Sequence, residues 1–406
     1  MGQAMNQSIH QLYAGMKSDL IQNILPFWSQ KMIDNSFGGF HGRMNGKGEL
    51  IGGAEKGGIL NARILWTFSA AYFHLHDPVC KRMAERSRNY MINSFFDREF
   101  GGTYWKITFD GKPLETKKQI YSQAFFIYAL AEYYRAVGDR VSLKEAVSLY
   151  RLIEERSFDR ERNGYFEAYS REWNLLQDLR LSAKDVNEKK TTNTHLHILE
   201  AYTGLFRIWK DDELGRKLKN LVRIFLDKII DPVTHHLRLF FDESWESKSL
   251  LISYGHDIEA SWLIYEAAKA LDDTELLNNA SKACISLANA ALEGFQSDGS
   301  LIYETDPETG HTDMERHWWP QAEAIVGLAN LYELTGNEGY LAQAIKCWDY
   351  ISRNLIDSTN GEWYWSINPD GTPNLQDDKA GFWKCPYHNG RACLEIMDRY
   401  ERMSDF

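Results

Sequence analysis

The sequence predicts an all-α fold, an (α/α)6 barrel of six helix hairpins with short β-hairpin loops between them. Three observations lead there. Several long stretches are apolar around most of their helical circumference, as buried helices are. More charged, amphipathic stretches alternate with them, and a glycine turn followed by aromatic residues recurs along the chain.

The apolar stretches are 60–76, 119–134, 192–209, 256–271, 318–334 and 388–400. In the first, Leu60, Ile64, Trp66, Phe68, Ala71 and Tyr72 leave no wide polar face, which marks an inner helix. The stretches 143–156, 213–228, 275–293 and 338–353 keep a charged face and read as outer helices in contact with water.

The turns fall at Gly38-Gly39-Phe40, Gly101-Gly102-Thr103-Tyr104-Trp105, Asn163-Gly164-Tyr165-Phe166, Asp298-Gly299 before Ile302-Tyr303, and Asn360-Gly361-Glu362-Trp363. A proline-punctuated segment, Asp231-Pro232 through Phe241, supplies one more. Glycines 38, 101, 164, 299 and 361 are 63, 63, 135 and 62 residues apart, so 135 counts as two units and the total is six. Six helix pairs bury every inner helix only by closing into a ring. No Pro- or Ser-rich linker interrupts the pattern, so residues 1–406 are expected to form one catalytic domain.

A net charge of −11 disfavours nucleic-acid and anionic-membrane surfaces, which need concentrated Lys and Arg. Five scattered cysteines without a CxxC pair suggest neither a disulfide framework nor a zinc ribbon, and fit a reducing cytoplasm. The first thirty residues are interrupted by Lys17, Asp19, Gln22 and Asn23, so no signal-peptide core is expected. Aromatics reach 13%, which a large core accounts for in the main, though flat rings suit sugar faces as well.

Candidate site residues recur at one phase. Arg63, Tyr121, His197, His256, Trp318, Trp319, Glu323 and His388 all fall in the first two turns of successive inner helices, where a closed ring would bring them to one mouth. Within 193–200, helical spacing puts Asn193, His197 and Glu200 on one stripe and turns His195 elsewhere. Glu259, three residues after His256, is placed to orient that imidazole, raising its pKa, or to bind a substrate hydroxyl; Asp257 points about 100° away.

Neither HxxxH nor HExxH occurs, so no zinc site is expected, and no phosphate loop or dinucleotide fingerprint signals a nucleotide cofactor. A glycosidase would need two facing carboxylates; Asp185, Glu200, Glu259 and Glu323 are available, but that mechanism does not call for clustered histidines. Removal of a proton α to a carbonyl does, because it needs a base on one face and an acid on the other near neutral pH. His256 and His388 fit that pair, and Arg63 fits the fixed donor for the enolate oxygen.

The chain resembles the N-acylglucosamine 2-epimerase superfamily along nearly its whole length. The resemblance rests on Leu25-Pro26-Phe27-Trp28, GGFHG at 38–42, LNARILW at 60–66, NTHLHILEAYT at 193–203, SYGHDIEASW at 253–262, HWWPQAEAIVG at 317–327 and WKCPYHNGRACLE at 383–395. The fifth and last of these are closest to the branch acting on cellobiose. It implies reversible epimerisation at C2 of the reducing-end glucose of β-1,4-linked disaccharides through an enediolate, turning cellobiose into glucosyl-mannose and lactose into epilactose. An alternative within the family is a mannose or glucose 2-epimerase or an aldose–ketose isomerase.

By the same resemblance His256 and His388 are the acid/base pair, and His197 opens the sugar ring and polarises the carbonyl with Arg63. Tyr121, Asn193, Asp185 and Glu259 hold hydroxyls, and Trp383 stacks on sugar with Trp318 or Trp319; Glu323 is a further substrate-binding candidate, its other reading being a buried hydrogen-bonding partner. No metal or other cofactor is implied. The expected partner is a small sugar, with neither nucleic acid nor membrane, and the expected state a monomer or weak homodimer.

Overall fold

The computed structural model describes residues 3–404 and is an (α/α)6 barrel. Its inner helices are α2 (Gly58–Leu75), α4 (Ile120–Val137), α6 (Thr192–Ile208), α8 (Tyr254–Ala270), α10 (Trp318–Thr335) and α12 (Tyr387–Ser404). The outer layer holds α1 (Gln3–Asp19), α3 (Pro78–Ser94), α5 (Arg140–Arg156), α7 (Asp212–Ile224), α9 (Thr274–Ala291) and α11 (Glu338–Tyr350). Each inner helix packs on the next, and α12 packs on both α10 and α2, which closes the ring.

The outer helices begin where an acidic or amide side chain can satisfy their first N–H groups. Asp77, Asp139, Asp211, Asp273 and Asn337 cap α3, α5, α7, α9 and α11. The inner helices α2, α4, α6, α8 and α10 start directly from two-residue strands, with Thr191 also capping α6, so their N-termini open onto the loop side of the barrel.

Each repeat carries one antiparallel bridge: Ile33 to Phe40, Phe96 to Thr103, Phe158 to Tyr165, Ile230 to Leu237, Phe295 to Leu301 and Ile356 to Trp363. These are the six turns expected from the glycines. The fourth has no glycine because His235 takes the left-handed conformation there, with φ 63°.

The strand entering each of these five helices pairs with the loop of the following repeat, as Lys56–Gly57 does with Lys106–Ile107 and Lys118–Gln119 with Ala168–Tyr169. Around the ring the series ends with Ala380 bridging back to Met44. Glu362 reinforces that closure by accepting from Trp28 Nε1 at 2.5 Å, Lys384 Nζ at 2.9 Å and Asn389 Nδ2 at 2.6 Å.

Four of these entering strands carry a buried lysine or follow one. Lys56, Lys118, Lys190 and Lys379 reach the aspartate opening the adjacent turn: Asp34 at 2.7 Å, Asp97 at 2.8 Å, Asp159 at 2.7 Å and Asp357 at 2.7 Å. Each pair ties an outer-helix exit to an inner-helix start, which fixes where the first turns of the inner helices lie. The apolar core is one continuous cluster with a small satellite at Ile9, Tyr332 and Leu341.

Candidate active site

Position along the first two turns of an inner helix decides what each side chain does. The second and sixth residues point inward, being one turn apart: Tyr121 on α4, Asn193 and His197 on α6, Glu259 on α8, Trp319 and Glu323 on α10, His388 on α12, and Arg63 on α2. On α8 the second residue is Gly255, where a Cβ would come within 2.5 Å of the Trp319 ring. The glycine thus admits Trp319, and His256 follows as the next residue.

The fourth residues point outward instead and accept from loop backbone. Thr103 N donates to Gln123 Oε1 at 2.8 Å, Tyr165 N to His195 Nε2 at 3.0 Å, Leu237 N to Asp257 Oδ1 at 2.8 Å and Leu301 N to Gln321 Oε1 at 2.8 Å. His195, pushed down to about 4 by burial, is a neutral ring that donates through Nδ1 to Thr191 O at 2.7 Å. It is a structural histidine, turned from the site as its phase requires. Asp257 likewise holds His236 Nδ1 at 2.7 Å.

The inward residues surround a cavity of about 390 Å³ at the helix N-termini. Arg63, Tyr121, Asn193, His197, His256 and His388 line it, as do Glu259, Trp318, Trp319, Trp383 and, from the loop after the third turn, Asp185. Its size is that of a small-molecule pocket. Glu323 alone among the expected residues stays behind the wall, fully buried.

His256 and His388 both lie near the Trp319 ring. The Trp319 ring centroid is 4.8 Å from that of His256 and 5.7 Å from that of His388, so the two imidazoles lie no further apart than these spacings together. Trp318 is buried against Trp365 at 4.7 Å and under Lys384 Nζ at 5.2 Å, whereas Trp319 is the partly exposed member of the pair.

Burial pushes His388 down to about 3 although Glu323 opposes it, and pushes His256 to about 3 with help from the charge of His197. His197 is lowered by burial too, against the pull of Glu200. Neutral imidazoles with a lone pair are the form a general base requires. Arg63 stays charged: burial works against it, but Tyr121, Cys385 and Tyr387 outweigh burial, and its Nη2 donates to Tyr121 OH at 2.8 Å.

Two expectations need correcting. Glu259 does not orient His256, whose Nδ1 is paired with Ser253 Oγ at 2.8 Å; nor is the pKa of His256 raised, since no carboxylate lies against the ring and burial dominates. Glu323 does not offer itself to a substrate. It accepts from His388 Nδ1 at 2.7 Å, Arg391 Nη2 at 2.6 Å and Trp262 Nε1 at 3.1 Å.

Behind the cavity lies a charge network the sequence reading missed. Arg391 donates through Nη1 to Glu200 and through Nη2 to both Glu259, at 2.7 Å, and Glu323. Glu200 also accepts from Tyr387 OH and from His197 Nδ1, the latter at 2.9 Å. One guanidinium therefore bridges the carboxylates that orient His197 and His388. Spacing could have revealed it: Glu200 follows His197, and Arg391 follows His388, by three residues.

Donor atoms of Glu259, Glu323 and His388 lie within 4.8 Å of one another, close enough for a metal ion. The Arg391 guanidinium already sits between the two carboxylates and supplies the positive charge there. The mouth adds Ser182, Tyr303, Glu315, His317 and Asp377 from loops, where no helical periodicity signals them.

A sequence profile described as N-acylglucosamine 2-epimerase (GlcNAc 2-epimerase) matches residues 38–392. The chain is 53% identical over 382 residues to the cellobiose 2-epimerase of Bacteroides fragilis, covering 94% of this chain and 97% of that one. It is 38% identical over 385 residues to the cellobiose 2-epimerase of Ruminococcus albus, covering 95% and 98%. Among solved structures, cellobiose 2-epimerase from Bacillus thermoamylovorans superposes with a TM-score of 0.92 at 40% identity, covering 96% of this chain and all of that one.

Proposed function

The chain belongs to the N-acylglucosamine 2-epimerase family, whose members are carbohydrate epimerases and isomerases, and on that premise we propose that it reversibly epimerises C2 of the reducing-end glucose of β-1,4-linked disaccharides. Cellobiose would become glucosyl-mannose and lactose epilactose. The observation that carries this reading is that His256 and His388, far apart in the chain, line one cavity and both lie near the Trp319 ring.

His197 and Arg63 open the sugar ring and hold the aldehyde oxygen. His197 is suited to this because Nδ1–H is committed to ionised Glu200, which leaves Nε2 as the proton acceptor or donor. His388 has the same arrangement with Glu323 and takes the C2 proton through Nε2; the imidazolium that results stays paired with the carboxylate. Electrons of the C2–H bond move into the enediolate, whose oxygen faces Arg63 and the N-termini of the inner helices.

Negative charge on the enediolate raises the proton affinity of His256, which passes a proton drawn from solvent to the other face of C2 after rotation about C2–C3. His388 returns its proton to solvent. The balance is one proton lost and one gained at the same carbon, and the reverse reaction exchanges the two roles. Tyr121, Asn193 and Asp185 bind hydroxyls, and Trp319 with Trp383 stacks on sugar.

The five cysteines are buried free thiols suited to a reducing cytoplasm. No helix among the described residues is long and apolar enough to cross a membrane. The test is incubation with cellobiose in heavy water. Glucosyl-mannose deuterated at C2 is expected; conversion of mannose to fructose with cellobiose left untouched, or epimer without deuterium, overturns the reading.

A further inference from the structure

Three buried carboxylates, Glu200, Glu259 and Glu323, share one guanidinium. Burying three anions against one cation leaves uncompensated negative charge, and the cheapest relief is for one carboxylate to keep its proton. Hydrogen-bond supply decides which. Glu200 accepts from Arg391, Tyr387 and His197, and Glu323 from Arg391, His388 and Trp262.

Glu259 accepts from Arg391 alone, at Oε1, while His388 Nδ1 stands 3.9 Å away, beyond a hydrogen bond. Its other oxygen has no protein donor among the described residues, and Glu259 lines the sugar cavity. The anion there is the least compensated of the three.

We propose that Glu259 meets the substrate as a neutral carboxylic acid that donates a hydrogen bond through Oε2 to a sugar oxygen, rather than as a carboxylate that accepts one. This deepens the epimerase reading and rests on it for the identity of the ligand. The direction of titration agrees: burial first, then the charge of Glu323, pushes Glu259 up to about 8, while Glu323 is held at about 2 because Arg391 and the His388 hydrogen bond outweigh its burial. The groups facing Glu259 are Glu200 and His197 on α6, Glu323 on α10, His388, Tyr387 and Arg391 on α12, and Tyr121 on α4.

A donor at this point changes what the cavity rewards. An acid strengthens its hydrogen bond as the enediolate oxygens gain charge, whereas a carboxylate would repel them. Arg391 then acts as a positioning residue: it holds Glu200 and Glu323 ionised, and the negative charge that they keep favours the proton on Glu259.

The experiment has a readout that needs no sugar. At pH 6.5 the free enzyme is expected to show the carbonyl stretch of a buried carboxylic acid that is missing in Glu259→Gln and fades as the native protein is titrated through about pH 8. Subtracting the variant removes the contribution of Glu167, another buried acid pushed up to about 8. If Glu259→Gln fails to fold, Glu259→Asp keeps the acid and shifts the band instead of deleting it.

With sugar, the native rate is expected to fall above about pH 8, and Glu259→Gln, which stays a neutral donor, to lose about tenfold in kcat/KM and to lose that alkaline fall. Absence of a band difference at pH 6.5 overturns the proposal, as does an alkaline fall unchanged in Glu259→Gln. The band is read without substrate, so it stands or falls separately from the heavy-water assay.

Discussion

His388 Nδ1 donates to Glu323 Oε1 at 2.7 Å across a space between two inner helices, which fixes the tautomer of the proposed base and points Nε2 at the cavity. Glu323→Gln keeps the volume but removes the charge that stabilises the imidazolium. We expect kcat to fall about 100-fold with KM within about twofold. An unchanged kcat would separate the pair from the chemistry.

Each member of the His256 and His388 pair serves one face of C2 in the proposed reaction. His256→Asn and His388→Asn are each expected to lose net epimerisation by about 10³-fold. Each should still exchange C2 hydrogen with heavy water in one epimer, and the two variants should favour opposite epimers. Exchange in the same epimer by both variants would rule out a two-faced mechanism.

The neighbouring tryptophans should separate by function and stability. Trp319 lies near both imidazoles and is partly exposed, so Trp319→Ala is expected to raise KM and lower kcat with little change in unfolding. Trp318 is 3% exposed, and Trp318→Ala should cost about 3–5 kcal/mol in urea unfolding by leaving a cavity against Trp365. The reverse pattern would mean that Trp318 is the sugar platform.

Stability should depend on pH with two opposite slopes. His256 and His388 have folded pKa values of about 3 against 6.5 unperturbed, so the unfolded chain binds more protons between these values and stability rises with pH there. Glu167 and Glu259 reverse this: at about 8 against 4.5, the folded chain holds the extra protons, and stability falls as pH rises through that window. Urea unfolding at pH 6.5 and 8.5 should show a loss that Glu167→Gln diminishes. Equal losses in the native protein and the variant would remove Glu167 from this account.

The repeated lysine–aspartate ties make a further prediction. Lys56 is 1% and Asp34 4% exposed, so Lys56→Met strands a buried carboxylate and should destabilise by about 3–5 kcal/mol. Lys56→Met with Asp34→Leu should recover most of that loss, because the desolvation of both charges is removed together. No recovery would mean that the tie orders the loop in a way apolar contact cannot replace.

The sequence alone determined what repeats. Apolar periodicity identified the six inner helices, glycine spacing counted the units, and helical phase singled out Arg63, Tyr121, His197 and His388 while turning His195 away. Such features are legible because they depend on residues one helical turn apart, which share a face whatever the rest of the chain does.

What only the tertiary structure decided lies between repeats. That Glu323 serves His388 and that Arg391 binds three carboxylates from three other helices are relations between segments far apart in the chain. Spacing along one helix cannot choose among partners that ring closure brings equally near. The choice is made by hydrogen-bond geometry and by the cost of burying charge, and both exist only once the barrel has closed.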